Sequence, residues 1–364
     1  MDKKSCCTKT NDCCSKDVNV ISATCSEENT PCHHANNSLP NVSTSLTLCD
    51  ILGAWKMRWG IGRMNYTVNP GLYSVGNPQS DSPVLVSANY KLTFDILRKN
   101  LSDLDCWLLI LDTKGVNVWC AAGKGTFGTD ELINRIESVK LPEMVTHKSL
   151  ILPQLGAPGI NSHEVKRHTG FDVTFGPVRA DDIQAFISSG NKATKEMRLV
   201  KFTFRDRLVL TPMELVPVTK MSLLLLGGLF ITNQFAKRPF GKHDMTAYAG
   251  AILTGSVITP MLLPYIPGRA FAWKGWLVGL FGTLSILHKS KGFAKGNRVM
   301  SAGQLLLFPA LSSFLAMNFT GSSTYTSPSG VKKEMQKALP FIIGAGVVGA
   351  TVVLGSHFFG KGRR

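Results

Sequence analysis

The sequence predicts an α/β domain followed by an all-α transmembrane bundle of five helices. Apolar stretches of membrane-spanning length occur only beyond about residue 215. The residues before them carry charges among short apolar runs that alternate with helical patterns, which is typical of α/β proteins. A chain of 364 residues also has room for two domains. We therefore assign residues 51–212 to the α/β domain and residues 213–364 to the membrane.

The first 50 residues are predicted to form a cysteine-rich, disordered tail. Residues 1–50 are rich in Ser, Thr, Asn and Cys, lack a sustained apolar periodicity, and hold seven of the nine cysteines. We find no secretory signal at the start of the sequence, and so expect the soluble part in the cytoplasm, where thiols stay reduced. Reduced thiols favour metal or cofactor chemistry over disulfide bonds.

Apolar runs bounded by turn residues define the elements of the α/β domain. Strands are predicted at 84–87, 106–111, 150–152 and 171–175, the first two of them buried. Helices are predicted at 92–98, 129–140 and 180–188. A β-hairpin or edge strand is expected over 199–210, where the chain leads into the membrane.

Five segments of nearly membrane-spanning length define the bundle. They cover about 216–235, 246–266, 271–287, 302–319 and 340–359. None contains Asp or Glu, whereas transporters usually keep an ionisable group inside the membrane, so the bundle is predicted to be an anchor. We place it as a multi-pass segment in the cytoplasmic (inner) membrane, with the α/β domain in the cytoplasm. The distribution of Lys and Arg among its loops mildly opposes that orientation.

The net charge of +16 does not indicate a nucleic-acid-binding protein. Many of the basic residues stand at the ends of apolar segments, where they would meet anionic lipid head groups. They form no compact patch of the kind that binds nucleic acid. Membrane lipid is therefore the partner expected from the charge, and nucleic acid is not.

The segment 117–129 carries the strongest chemical signal in the sequence. Gly123, Gly125 and Gly128 match a dinucleotide-binding fingerprint, although such a match alone is weak. The Gly-Lys pair within the segment lacks the upstream glycine that a phosphate-binding P-loop needs. Cys120 precedes a helix start, where the helix dipole and free amides favour a thiolate, so it is a candidate nucleophile or metal ligand. A buried structural cysteine explains the pattern alone equally well.

The segment 117–124, Asn-Val-Trp-Cys-Ala-Ala-Gly-Lys, resembles the cysteine signature of the HgcA family, the corrinoid proteins of microbial mercury methylation. The flanking segments 84–95, 152–159 and 176–180 are similar to the same family. They also resemble the cobamide-binding domain of the corrinoid iron–sulfur protein of acetyl-CoA synthesis. The resemblance covers about residues 55–210, and the five-helix region fits the first family again.

This resemblance implies a Rossmann-like domain that binds a cobamide, a cobalamin-type corrinoid. Cys120 would be the catalytic residue, with its thiolate as the lower axial ligand of the cobalt. A soft anionic sulfur donates strongly to a metal, and donation opposite the methyl group would favour its transfer with the electron pair to Hg(II), forming methylmercury. The alternative is a corrinoid methyl carrier of the acetyl-CoA or one-carbon pathway, which does not need a thiolate at position 120.

The same resemblance implies further cofactor-binding positions around the corrin ring. Loop capping or core packing explains each of them about equally well. Besides Cys120, these positions are Asn117, Trp119, Ala121, Gly123, Lys124, Thr126, Phe127, Gly128, Asn89, Tyr90, Gln154, Gly156 and Ala157.

The resemblance also implies partners. An HgcB-type ferredoxin with two four-iron clusters would be the reductant. The methyl group would come from a methyltetrahydrofolate-type donor through a separate methyltransferase, and Hg(II) would be the substrate.

The tail contains two adjacent pairs of soft ligands, Cys6, Cys7, Cys13 and Cys14. Thiolates select soft metals such as Hg(II), Zn(II) or Cu(I). No Cys-x-x-Cys spacing indicates a zinc or iron–sulfur site. We hypothesise that the tail captures Hg(II) and passes it on; a tail without a role is the equal alternative.

Overall fold

A computed structural model describes residues 39–359, except 238, 291–292 and 294–297. The chain divides between Val200 and Lys201 into two compact units. The α/β unit precedes this boundary and the helical unit follows it, but the short stretch Arg58–Gly60 groups with the helical unit. The boundary predicted from the sequence lies later, at residue 212.

A five-stranded sheet forms the centre of the α/β unit. Its strands are β1 (Gly71–Val75), β2 (Val84–Ala88), β3 (Cys106–Leu111), β4 (Ser149–Leu152) and β5 (Asp172–Phe175). Their order across the sheet is β1-β3-β2-β4-β5; β1 is antiparallel to β3, and every other neighbouring pair is parallel. β2 lies in the middle and is buried along its whole length. Parallel strands that are buried on both faces need helices on both sides.

Two apolar clusters, one on each face, hold helices against this sheet. Val86 and Leu109 belong to one cluster, whereas their neighbours Leu85 and Leu108 belong to the other, because successive strand side chains point to opposite faces. The first cluster includes side chains of α3, α4 and α6, and the second those of α2 and α7. The helices up to this point are α1 (Leu48–Arg58), α2 (Lys91–Lys99), α3 (Val118–Lys124), α4 (Thr129–Ser138), α5 (Leu141–Met144), α6 (Ser162–Thr169) and α7 (Ile183–Ser188).

The predicted strands correspond to β2–β5, and the predicted helices correspond to α2, α4 and α7. The β-hairpin predicted over 199–210 is wrong. Thr203 and Asp206 form a capping box that starts a long helix at Phe204. The structure confirms an α/β sheet. It does not confirm the finer Rossmann-like assignment, and its edge strand β1, which is antiparallel, was not predicted.

The helical unit contains six α-helices within the described residues. They are α8 (Phe204–Asn233), α9 (Lys242–Leu253), α10 (Thr259–Leu262), α11 (Phe271–Lys289), α12 (Arg298–Asn318) and α13 (Pro328–Phe359). A π-helical turn, Thr254–Ile258, joins α9 to α10. α12 lies at the centre of the unit, and Gly275 and Gly279 of α11 allow a close approach to its Ser312.

Within the described part of this unit, four segments are long and apolar enough to cross a membrane. They are Phe204–Asn233, Lys242–Leu262, Arg298–Ser322 and Ser329–Phe359. The predicted count of five is therefore not confirmed. The remaining predicted segment, 271–287, does form a helix (α11), but Lys274 and the terminal His288 and Lys289 lower its mean hydropathy.

The helices extend beyond the predicted spans and carry acidic residues there. The spans themselves contain no Asp or Glu, but Asp206 and Glu214 lie in α8 and Asp244 lies in α9. Asp244 is buried, and its Oδ1 accepts a hydrogen bond from Gln304 Nε2 at 2.7 Å. The predicted spans lack carboxylates, but the longer helices that contain them do not. The argument for a simple anchor therefore applies only to the predicted spans.

A buried cluster of charges joins α1 to α2. Arg98 donates to Asp50 at 2.6 Å and to Asp95 at 2.9 Å, and Lys91 bonds to both carboxylates. Burial acts to raise the pKa of Asp50, but hydrogen bonds from Lys91 and Thr47 and the Lys91 charge outweigh it and lower the pKa to about 2. Asp50 falls within the predicted tail, so the described end of that tail takes part in the fold.

Replacement of Arg98 should destabilise the α/β unit strongly. Arg98→Met leaves two buried carboxylates with one cation, and removal of one member of a buried ion pair costs about 3–5 kcal/mol of unfolding free energy. Denaturant unfolding of the purified protein measures the change. The control is Arg135→Met, whose partner Glu131 lies in a partly exposed i, i+4 pair, with an expected cost below about 1 kcal/mol. Equal costs for the two variants would contradict this account.

Candidate functional site

The candidate site lies at the carboxyl edge of the sheet, around the end of β2. β3 lies on one side of β2 and β4 lies on the other. The chain leaves β2 towards β3, and it leaves β4 towards β5, so the loops after β2 and β4 run in opposite directions. Such divergent loops leave a crevice at the carboxyl ends of the two strands, which is where open α/β sheets bind ligands. The loops after β2, β3, β4 and β5 border this edge.

The buried side chain of Asn89 fixes the loop between β3 and α3. Its Oδ1 accepts hydrogen bonds from the backbone N–H groups of Thr113 and Gly115, each at 3.1 Å. Its Nδ2 donates to Asp112 Oδ1 at 3.1 Å. Lys114 also donates to the Asp112 carboxylate, and this hydrogen bond lowers the pKa of the Asp112 carboxyl. One side chain at the end of β2 thus holds the turn that follows β3.

Cys120 is exposed on the first turn of α3. Asn117 caps this helix, because its Oδ1 accepts a hydrogen bond from the Cys120 backbone N–H at 2.9 Å. Val118 and Ala121 are buried in the core on the other side of the turn. Trp119 is exposed beside the thiol. The packing of α3 therefore leaves Trp119 and Cys120 on its outer face.

A pocket of about 290 Å³ opens beside the start of α3. Its walls come from α2, α3 and the loops after β4 and β5, and they are mainly apolar. A pocket of this size holds a small ligand or one part of a large one. The residues that border it include Thr93, Asn117, Trp119, Pro153, Leu155 and Pro177.

Among the cysteines in the described part of the chain, Cys120 is the exposed one. Cys106 is buried in β3, and burial, with a smaller contribution from the Asp105 charge, raises the pKa of its thiol to about 12. Cys49 is half-buried in α1. Over the described residues, no three His, Cys, Asp or Glu side chains gather to hold a metal ion. The tail cysteines lie outside the described residues, so Hg(II) capture stays a prediction for Cys6, Cys7, Cys13 and Cys14.

Three of the predicted cofactor contacts lie in the core. Tyr90 is buried, and its hydroxyl donates a hydrogen bond to Met57 Sδ at 2.6 Å. Ala121 and Phe127 are fully buried in the apolar cluster beneath α3. Packing accounts for these residues, and Asn89 likewise acts through the loop that it holds.

Close packing also explains two of the predicted glycines. A Cβ atom at Gly156 would lie 2.5 Å from the Phe127 ring, and one at Gly128 would lie 2.6 Å from the Gly125 carbonyl oxygen. A side chain at Gly156 would force the loop after β4 away from Phe127, and one at Gly128 would distort the turn between α3 and α4. Both glycines are therefore needed by the scaffold whether or not a ligand approaches them.

The remaining predicted residues lie on the surface of the same edge. Gly123 and Lys124 are exposed at the end of α3, and a Cβ at Gly123 would meet no atom within 4 Å. Thr126 and Ala157 are half-buried. Gln154 is half-buried too, and its Oε1 accepts a hydrogen bond from Arg198 at 2.7 Å.

The dinucleotide-binding interpretation of 123–128 is wrong. A dinucleotide fingerprint must follow a strand directly and open a helix. Here the three glycines lie at the end of α3 and before α4, away from the end of β3. Their spacing therefore matches the fingerprint without its structural setting.

Sequence reasoning missed the residues that complete the pocket, such as Thr93, Leu155 and Pro177. Thr93 belongs to α2 and Pro177 follows β5, so only the folded chain brings them together. The signal was the resemblance of segments 84–95, 152–159 and 176–180 to corrinoid proteins, which was noted without an assignment of these three residues to the site.

The sequence of the α/β unit is similar to sequences of known proteins. A family model described as "CO dehydrogenase/acetyl-CoA synthase delta subunit" matches residues 57–187. This range contains every candidate-site residue described above from Asn89 to Pro177. The tail and the helical unit lie outside the match.

Individual relatives are gamma subunits of the acetyl-CoA decarbonylase/synthase complex. The subunit of Methanopyrus kandleri is 34% identical over 122 residues, which are 33% of this chain and 26% of that protein. The subunit of Methanocaldococcus jannaschii is 30% identical over 139 residues, 37% of this chain and 28% of that protein. The subunit of Archaeoglobus fulgidus is 30% identical over 122 residues, which are 33% of this chain and 26% of that protein. The chain thus spans about a quarter of the length of these relatives, and the likeness is not specific to mercury methylation.

Proposed function

We propose that the α/β unit binds a corrinoid at the carboxyl edge of its sheet and carries a methyl group, with the Cys120 thiolate as axial ligand of the cobalt. The observation that supports this most is that the exposed Cys120 directly follows Trp119, a residue that lines the apolar pocket; both lie inside the region that matches subunits of acetyl-CoA enzymes. The sequence resemblance to cobamide-binding domains covers the same region. When bound, the corrinoid supplies a cobalt-bound methyl group for transfer.

The residues at this edge fit such a cofactor. Cobalt accepts a thiolate as a soft axial donor, and Cys120 is the exposed cysteine of the described residues. The surface next to it is open, since a Cβ added at Gly123 or Gly125 would meet no atom within 4 Å. The adjacent pocket could take an apolar or aromatic part of a large cofactor, with Trp119 on its rim.

The chain itself fixes the position of the thiol. Asn117 fixes the backbone of Cys120 through the helix cap, and Asn89 fixes the loop before it. Because Val118 and Ala121 are locked into the core, the thiol cannot turn inward without unpacking α3. A donor held in this way loses little freedom when it binds a metal.

The acceptor of the methyl group has two candidates. The comparisons favour a carrier of the acetyl-CoA type, which hands its methyl group to a partner in a multi-protein complex. The exposed Cys120 favours Hg(II), because an anionic sulfur bound to the cobalt would donate electron density and so favour release of the methyl group with its electron pair. Mercury methylation would then need a protein reductant, for which we propose an HgcB-type ferredoxin, and a methyl donor, for which we propose a methyltetrahydrofolate-type compound. Anchoring in the cytoplasmic membrane is part of the same proposal.

Replacement of Cys120 should alter the cobalt without removing the cofactor. We expect Cys120→Ala to retain bound cobalamin, since the pocket is intact, but to show a changed visible spectrum because the sulfur ligand is lost. Absorption spectra of the loaded, full-length protein test this. Cys106→Ala is the control, since that buried thiol lies in β3 away from the edge. An identical spectrum for wild type and Cys120→Ala would contradict the assignment of Cys120 as a cobalt ligand.

The acceptor can be decided by the rate of methylmercury formation. Protein loaded with methylcobalamin and supplied with Hg(II) should form methylmercury faster than free methylcobalamin does. Cys120→Ala should reduce that rate by at least about tenfold, the loss that removal of groups supporting a metal site commonly causes. A rate equal to that of free methylcobalamin and unaffected by the substitution would instead favour the acetyl-CoA type of carrier.

A further inference from the structure

Helix α1 presents a stripe of large apolar side chains to solvent. Leu48, Ile51, Leu52 and Trp55 are between 53% and 78% exposed. Their spacing of three, four and seven residues places them on one face of the helix. Scattered exposed apolar residues are ordinary, but a contiguous stripe of this kind marks an interaction surface.

The opposite face of α1 is fixed in the α/β unit. Asp50 is buried in the charge cluster, and Met57 accepts a hydrogen bond from Tyr90. Gly53 packs so closely on Tyr66 that a Cβ would lie 2.7 Å from the hydroxyl oxygen. The stripe is therefore held outward by a well-packed helix and does not belong to a frayed segment.

The same chain carries helices that suit a bilayer. Among the described residues, four helices of the helical unit are long and apolar enough to cross a membrane. The chain passes from the α/β unit to the first of them between Val200 and Lys201, and Leu199 and Val200 are exposed there. The α/β unit therefore exposes apolar residues on α1 and also where its chain leads into a helix of membrane-spanning length.

The exposed charge of this helix matches an anionic lipid surface. Lys56 is exposed in the last turn of α1, next to Trp55. The acid within the helix, Asp50, faces inward and is paired with Lys91 and Arg98. An apolar stripe that bears a tryptophan and ends at an exposed lysine, with no exposed acid on the helix, suits the head-group region of a bilayer.

We propose that α1 is an interfacial helix, with Leu48, Ile51, Leu52 and Trp55 inserted at the boundary between head groups and acyl chains of an anionic membrane. The helix then fixes how the α/β unit is oriented on the membrane, beyond the tether that the spanning helices provide. This inference depends on the helical unit crossing a bilayer and is independent of the corrinoid and of the methyl acceptor.

Quenching of tryptophan fluorescence by brominated lipid tests this placement in the full-length protein. The protein is reconstituted in phosphatidylglycerol-containing vesicles with or without bromine on the upper acyl chain. Subtraction of the Trp55→Phe emission from that of wild type gives the Trp55 contribution. We expect bromine to abolish most of that contribution. Trp107, buried in the sheet with its Nε1–H bonded to the Gln79 carbonyl, is the control, and its contribution, obtained with Trp107→Phe, should be unaffected.

A double substitution, Ile51→Glu with Leu52→Glu, keeps the test independent of folding. Both side chains are exposed, so the thermal unfolding temperature in detergent should not change, whereas the quenching of Trp55 should be lost. Two results would overturn the proposal: Trp55 quenched no more than Trp107, which would mean that protein covers the stripe, or full quenching of Trp55 in the double variant.

Discussion

The candidate site depends on the hydrogen bonds of one buried side chain, Asn89. Its amide joins the end of β2 to the loop after β3 by accepting from Thr113 and Gly115 and donating to Asp112. Without it, two buried or half-buried N–H groups would lose their partner, and the chain leading into α3 would lose its support. The position of Cys120 is therefore set by a residue that does not touch it.

The residues that build the fold around the candidate site are distinct from the residue proposed to bind the cofactor. The strands, the glycines under Phe127 and the charge cluster of Asp50 and Arg98 are internal, and the comparisons with acetyl-CoA subunits cover most of them. Under the proposed function, the methyl acceptor would instead be determined by an exposed thiol at a single position, Cys120. A substitution there would leave the core intact, because the Cys120 side chain is exposed.

Much of the α/β unit followed from the sequence because β2, β3 and β4 are largely apolar runs and α2 and α4 have a clear apolar period. β1 escaped prediction because its pairing with β3 is antiparallel and set by residues distant in sequence. α1 was not predicted, and its residues 48–50 were assigned to the tail; its apolar stripe faces outward and its inner face holds the charged Asp50, so its pattern is not that of a core helix. Cys120 was found from its motif, whereas Tyr90 and Phe127 were assigned to the cofactor although the core accounts for them; burial decides such cases, and sequence alone does not reveal it.

Cobalt K-edge X-ray absorption of the corrinoid-loaded, full-length protein tests the central claim most directly. If the Cys120 thiolate binds the cobalt, the extended fine structure contains a sulfur scatterer in the first shell, and Cys120→Ala replaces it with a light atom. The tail cysteines make this variant the necessary control, because any of them could supply sulfur. A first shell without sulfur in the wild type, or a sulfur contribution that persists in Cys120→Ala, would contradict the account.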